Sequence, residues 1–253
     1  MLTAPPFLTL PLHAGPIVID VPSNYAGPIV IADRHLTATA PGQTAITIRW
    51  PRIESCFLTS VILRDLVINA GFRHGIHLVN AWNARIARVN IFGPGGVPDP
   101  GMENGIILDG QCMDVSISAC NLFGMTTGIL IVGEYEGTRI SDFSVVGAVH
   151  GVAALNAQDE PGLWITNGHI NATSVGVFLR HRCQYTLSNL LLYAGNDYAS
   201  TKRWPFYGVH ATDSDDGVLD NVKLGSLDQG KVIVPLINGG CDRLTGTVQR
   251  MAF

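Results

Sequence analysis

The chemistry-bearing residues of this chain gather in its last third. Asp213, Asp215 and Asp216 occupy three of four successive positions, with Ser214 between the first two. Cleaving a glycosidic bond by hydrolysis takes two carboxyl groups about 5 to 9.5 Å apart, one acting as acid and the other as base or nucleophile. On that reading Asp213 and Asp216 are the general acid and base, with Asp215 as a further candidate. The same run also suits an Asx-rich turn that bonds its own backbone, or a calcium-binding turn.

Just upstream lies a segment in which aromatic and charged residues alternate, from Tyr193 through Asp197, Tyr198, Lys202, Arg203 and Trp204 to Phe206 and Tyr207. Aromatic faces stack on sugar rings, and flanking charges bond hydroxyls or a uronate carboxylate, so such a loop suits glycan recognition. The alternative is that its aromatics pack the loop against the rest of the chain. Cleavage by elimination instead needs a base and a group that neutralises the uronate charge. Arg180, His181, Arg182, Tyr185, Lys202 and Arg203 have the right chemistry, although Arg180-His181-Arg182 also reads as a solvated turn. His210 completes the set of candidate substrate-binding residues. No GxSxG, HExxH or P-loop pattern occurs, which leaves serine-hydrolase, zincin and nucleotide-hydrolysing chemistry without support.

The elements that must hold these residues show themselves as a repeat. A glycine followed by a β-branched residue and then mostly aliphatic positions recurs at Gly75, Gly105, Gly128, Gly151, Gly176 and Gly208. Subtracting successive positions gives 30, 23, 23, 25 and 32 residues, a period expected of one coil of a solenoid with loop insertions. Further aliphatics keep step with the glycines: Ile117, Ile140 and Ile165 about eleven residues before, and Leu122, Val145 and Ile170 about six before. Asn90, Ser118, Asn121, Asp142 and Asn167 sit between them, residues that tolerate tight corners. No segment of ten or more residues shows a 3.6-residue period, which argues against βα crossovers. A β-sandwich is the competing all-β reading, and sandwiches do not repeat at a fixed coil length.

The Gly-Ile-x-aliphatic strands, the shorter aliphatic strands after them and the Asn-rich corners resemble the pectin-lyase-like superfamily. That superfamily includes polygalacturonases, pectate lyases, alginate epimerases and many phage tailspikes. The likeness spans about residues 16 to 250 and implies an all-β, right-handed, single-stranded parallel β-helix with three strands per coil. One domain over 1–253 is expected, with 1–50 capping the stack and regular coils over 51–253 interrupted by insertions at 92–104 and 193–207. The resemblance also implies that substrate lies along the face of the Gly-Ile-x-aliphatic strand. Polygalacturonases use similar Asp pairs as acid and base, but they also carry a Gly-His-Gly and an Arg-x-Lys that this chain lacks.

Strand alternation places the third residue of each repeat outward on that face, namely His77, Ile107, Leu130, Ala153, Phe178 and His210. Its middle is apolar, so Ile107, Leu130, Ala153 and Phe178 are expected to meet other subunits, as in a homotrimer. The second strand presents an ordinary solvated surface of Arg85, Asp114, Ser116, Arg139, Ser141 and Thr166, with Trp164 as its exception.

Composition narrows the partners. Charged residues make up 14% of the chain against 47% hydrophobic ones, which excludes a disordered polymer. The formal net charge is −4 and no Lys/Arg run occurs, so nucleic acid is not an expected partner. The five cysteines lack metal or disulfide-framework spacing, and neither metal nor other cofactor is expected. No stretch reaches the roughly 20 apolar residues of a spanning helix. The opening residues lack a basic segment and contain Pro5, Pro6 and Pro11, which argues against a secretory signal and fits a virion component or a cytoplasmic protein. Together these features lead to a polysaccharide-recognising protein of the tailspike kind, with glycoside hydrolase or polysaccharide lyase activity as its enzymatic form. A non-catalytic spike that oligomerises through its apolar face, and an intracellular enzyme on a small substrate, are the alternatives.

Overall fold

The computed structural model describes residues 13–25, 27–51, 60–94, 101–195, 205–226, 231–241 and 243–251. Every regular element among them is a strand, and every strand pairing is parallel. The strands stack as a β-solenoid of about seven turns.

The first ladder is the Gly-strand face. It runs through β2 (Ile17–Asp20), β4 (Thr44–Arg49), β6 (His74–Val79), β8 (Asn104–Asp109) and β12 (Thr127–Val132) into the long β14 (Thr138–Ala194). From there it continues through β15 (Phe206–Thr212) and β17 (Ile233–Gly239). Register is kept residue for residue: Ile46, Ile76, Ile106, Ile129 and Val152 stand above one another. Glycine precedes the last four of these positions, Ala45 the first, and the glycine has a steric cause. A Cβ on Gly128 would lie 2.6 Å from the carbonyl oxygen of Gly151, and Gly105 and Gly176 meet the repeat glycines after them at the same distance. Only hydrogen fits there.

The second ladder joins β3 (Pro28–Leu36), β5 (Ser60–Ile68), β7 (Ala84–Phe92), β10 (Ser116–Ser118), β11 (Asn121–Phe123), β14, β16 (Gly217–Ser226) and β18 (Leu244–Arg250). Here the coil departs from three separate strands. In β5 and β7 the expected second and third strands run on as one element, bent at a single left-handed residue, while in the next coil β10 and β11 stay separate. A further short segment, β9 (Gln111–Met113) paired with β13 (Glu134–Glu136), sits between the ladders. One residue with positive φ turns the chain without interrupting the hydrogen bonds on either side, so the ladder survives the corner.

Those corners stack. Asp65, Arg88, Ala119, Asp142, Asn167, Asn189 and Asn221 occupy the bend in successive coils, all with φ between 50° and 55°. Asn and Asp are the residues that tolerate this conformation without glycine, and here their side chains also bond along the stack. Asn221 Nδ2 donates to Asn189 Oδ1 at 2.8 Å, Asn189 to Asn167 at 3.2 Å and Asn167 to Asp142 at 3.1 Å. Higher up, Asp65 takes two bonds from Arg88 (2.6 and 2.8 Å) and one from Arg64 (2.7 Å). These guanidinium bonds hold the Asp65 carboxyl at about 2, well below the usual carboxylate range.

The core is the inside of the tube. Ile117, Ile140, Ile165, Leu122, Val145 and Ile170 all point inward and are buried. Each such aliphatic contributes about 1.5 to 3 kcal/mol by leaving water, and its neighbours are the equivalent side chains one coil above and below. Residues 17–49 already take part in both ladders through β2, β3 and β4.

Candidate functional site

Alternation along the Gly-strand ladder sets the outward column. Thr47, His77, Ile107, Leu130 and Ala153 follow one another in register, and Phe178, His210 and Ile237 continue the column. Their chain neighbours Ile76 and Leu78 are wholly buried, so the third repeat position does face outward. The apolar middle is less open than its composition suggests, since Ile107 is 7% and Ala153 3% exposed within the chain itself. Both ends of the column carry polar groups that can do chemistry.

At the C-terminal end, the His210 ring stacks on Phe178 with centroids 4.7 Å apart and planes at 21°. The Tyr207 ring lies 5.7 Å from His210, tilted by 41°. Arg180 follows two residues after Phe178 on the same face, exposed, in register with Thr212. His181 and Asp213 come next, at equivalent corner positions of adjacent coils, with φ of 53° and 48°. Four sequence candidates, Arg180, His181, His210 and Asp213, therefore lie on adjacent coils at one end of the face. Burial under the aromatic neighbours holds the His210 imidazole below the ordinary histidine value, which leaves it neutral, and able to accept a proton, near pH 7.

The other candidates go elsewhere. Asp216 lies at the next corner of its coil and pairs with Arg243 at 2.7 Å. Asp215 takes part in backbone bonding between coils: its N–H donates to the Arg182 carbonyl at 2.8 Å, and its carbonyl accepts from Gln184. Arg182, expected to meet substrate, has no exposed surface at all. The left-handed corner at His181 (φ 53°) breaks the alternation that would put Arg182 on the face of Arg180, and turns it inward. Its guanidinium donates to the Tyr135 carbonyl at 3.2 Å and the Pro161 carbonyl at 3.3 Å, and it lies 4.2 Å over the Tyr135 ring. Tyr185 is likewise wholly buried, and burial raises its hydroxyl far above the usual value. Asp197, Tyr198, Lys202, Arg203 and Trp204 lie outside the described residues. In sequence they lead directly into the strand that carries Tyr207 and His210.

Sequence reasoning passed over Tyr207 as a partner of His210, and over a second cluster at the other end of the face. There His77 Nε2 lies 3.2 Å from Asp109 Oδ2, and His74 Nδ1 lies 3.1 Å from the side-chain nitrogen of Asn104. Glu103 joins this cluster through Arg73 at 2.8 Å. Burial lowers His74, with Glu103 opposing the effect. The available signal was register: His77 and Asp109 fall on outward positions of β6 and β8, but in sequence they are single residues 32 apart. Among the described residues no group of three His, Cys, Asp or Glu side chains is arranged to hold a metal ion.

The fold has a counterpart among solved structures. No protein-family model and no curated protein matches the chain. An alginate lyase from Paenibacillus sp. str. FPU-7 superposes with a TM-score of 0.53 at 13% identity, covering 88% of this chain and 84% of that one. At that identity the likeness is one of fold: the chain has the parallel β-solenoid architecture on which that lyase is built.

Proposed function

We propose that the chain binds and cleaves an acidic polysaccharide, with its reacting centre at the C-terminal end of the Gly-strand face. The observation that carries this reading is the His210 ring, stacked on Phe178 with Tyr207 tilted against it, on the same face as the exposed Arg180. Elimination at a uronate starts with loss of the proton on the carbon next to the carboxylate. Neutral His210 takes that proton, while Arg180 neutralises the carboxylate on which negative charge builds. The electron pair forms a carbon–carbon double bond as the glycosidic oxygen departs, and the Tyr207 hydroxyl supplies that oxygen with a proton. Phe178 fixes the His210 ring plane and offers an apolar face to a sugar. Similarity of fold to an alginate lyase supports the choice of an acidic polymer without deciding it.

Asp213, with Asp216 and Asp215, stands as the hydrolytic variant of the same proposal, because Asp213 borders the same end of the face. The loop residues Asp197, Tyr198, Lys202, Arg203 and Trp204 extend the binding surface in this reading. A tailspike-like role, with trimers packed through Leu130, belongs to it as well.

The test is a panel of acidic and neutral polysaccharides, followed by ultraviolet absorbance for the new double bond and by reducing-end release. His210→Asn is expected to lower turnover by about 10²- to 10⁴-fold, and Tyr198→Ala with Trp204→Ala to weaken binding. New reducing ends without the double bond would transfer the chemistry to the Asp213 carboxylate. No binding to any polymer would sink the proposal.

A further inference from the structure

The second ladder carries its own outward column on a different wall of the tube. Arg85, Ser116 and Arg139 stand in register on successive coils. Trp164 follows 25 residues after Arg139, the same offset that joins Asn167 to Asp142. Trp164 keeps 36% of its surface exposed, against 4% for Trp50. Its position is defined rather than loose. The Arg139 guanidinium carbon lies 4.9 Å from the ring centroid, and a Cβ on the corner residue Gly162 would stand 3.1 Å from the indole edge. The ring thus lies across a glycine corner, with a cation stacked against it.

The charges of this wall are open to an incoming anion. Arg139 has one described acidic neighbour, Asp114 at 3.8 Å, and both side chains are more than half exposed. Such a pair is weak and readily exchanged. Arg85 is exposed and makes no ion pair with any described residue. Two coils separate Arg85 from Arg139, which places their backbones about 10 Å apart at the 4.8 Å spacing of a parallel ladder. That rise per coil is close to the length of one pyranose residue, so an extended sugar chain along the tube axis keeps step with the coils. It would meet one guanidinium, a hydroxyl from Ser116, a second guanidinium and then the indole.

We propose that the wall of Arg85, Ser116, Arg139 and Trp164 is a second, non-catalytic docking surface for an acidic polysaccharide. This rests on the reading of the chain as an acidic-polysaccharide protein, and goes beyond it by placing polymer retention on a wall separate from the reacting centre. Charge selects the occupant, because a neutral glycan leaves both arginines unused. Two contacts on one polymer raise its effective concentration at the reacting face.

The experiment is electrophoresis of the whole chain through gels containing alginate, polygalacturonate or neutral dextran, alongside turnover on short acidic oligosaccharides. Acidic gels are expected to retard the wild type, with an effect that fades as salt is added, and dextran is not. Trp164→Ala and Arg85→Ala are each expected to weaken retardation roughly tenfold, equivalent to about 1.4 kcal/mol, while turnover on short substrates is unchanged. Arg85 does not touch the indole, so agreement between the two variants separates docking from local collapse around Trp164. Equal retardation of wild type and variants, or none in either acidic gel, overturns the docking surface. So does a change of sedimentation in Trp164→Ala with retardation intact, which would make the wall a contact between copies. A chain that cleaves no polymer but loses retardation in both variants keeps the docking surface and ends the catalytic reading.

Discussion

Arg180, His181 and Arg182 are consecutive in sequence and end in three environments: the exposed face, a corner and the interior. For Arg182 the interior is costly, and burial lowers its affinity for the proton. Tyr135 and Glu160 oppose that effect, and two carbonyls accept from the guanidinium. Removing the guanidinium leaves the Tyr135 and Pro161 carbonyls without this donor, so Arg182→Met is expected to destabilise the fold by about 2 to 4 kcal/mol. Urea unfolding measures this, and a loss below about 1 kcal/mol would show that the guanidinium is not held as described. His210 makes the opposite kind of claim, about activity rather than stability. Its imidazole must be neutral to accept a proton, and its proton affinity lies below the ordinary histidine value. The acid limb of kcat/KM is therefore expected at a midpoint below the usual ~6.5, with activity rising as pH increases through it. A midpoint above that value would assign the limb to another group.

At the scale of the element, two columns determine whether the coils can stack. The glycine column lets neighbouring backbones close to hydrogen-bonding distance. Gly128→Ala puts a methyl 2.6 Å from both the Gly151 carbonyl and a Val145 methyl, and a cost of about 1 to 3 kcal/mol is expected from overpacking. Thermal unfolding would register it, and an unchanged midpoint would contradict the close approach. The asparagine corner separates two contributions. Asn189→Ala loses both side-chain bonds of the ladder and also places alanine at φ 50°. Asn189→Gly loses the bonds but not the backbone compatibility. The alanine variant is expected to lose about 2 kcal/mol and the glycine variant about half of that. Equal losses would mean that the conformation itself contributes nothing.

For the whole molecule, the open question is what the Gly-strand face meets. Ile107 and Ala153 are already covered within the chain, leaving Leu130, Phe178 and Ile237 as the half-buried apolar residues of the column. Phe178 is further engaged with His210. If the face builds a trimer, Leu130→Asp is expected to shift sedimentation from trimer to monomer while the fold is kept. A wild-type monomer would assign the face to ligand alone. The two polar ends of the column, His77–Asp109 and Tyr207–His210, lie on one wall of a continuous stack, so a long polymer can pass both.

The coil was legible in the sequence because a solenoid repeats its steric demands. Most coils carry a glycine where backbones meet, an aliphatic where side chains stack inward and an Asn or Asp where the chain turns left-handed, and Gly128, Ile140 and Asn167 each state one of these locally. Pairing a residue with its equivalent on the next coil needed only the period. What the sequence could not decide was which polar residues share a surface, because insertions change the offset between coils from 22 to 32 residues. The stacking of His210 on Phe178 and the seat of Trp164 beside Arg139 depend on that offset and on strand alternation, and the inward turn of Arg182 on the left-handed corner at His181 that interrupts the alternation. One residue of displacement exchanges inside for outside, and only the packed tertiary structure, by burying one face of every strand, selects between them.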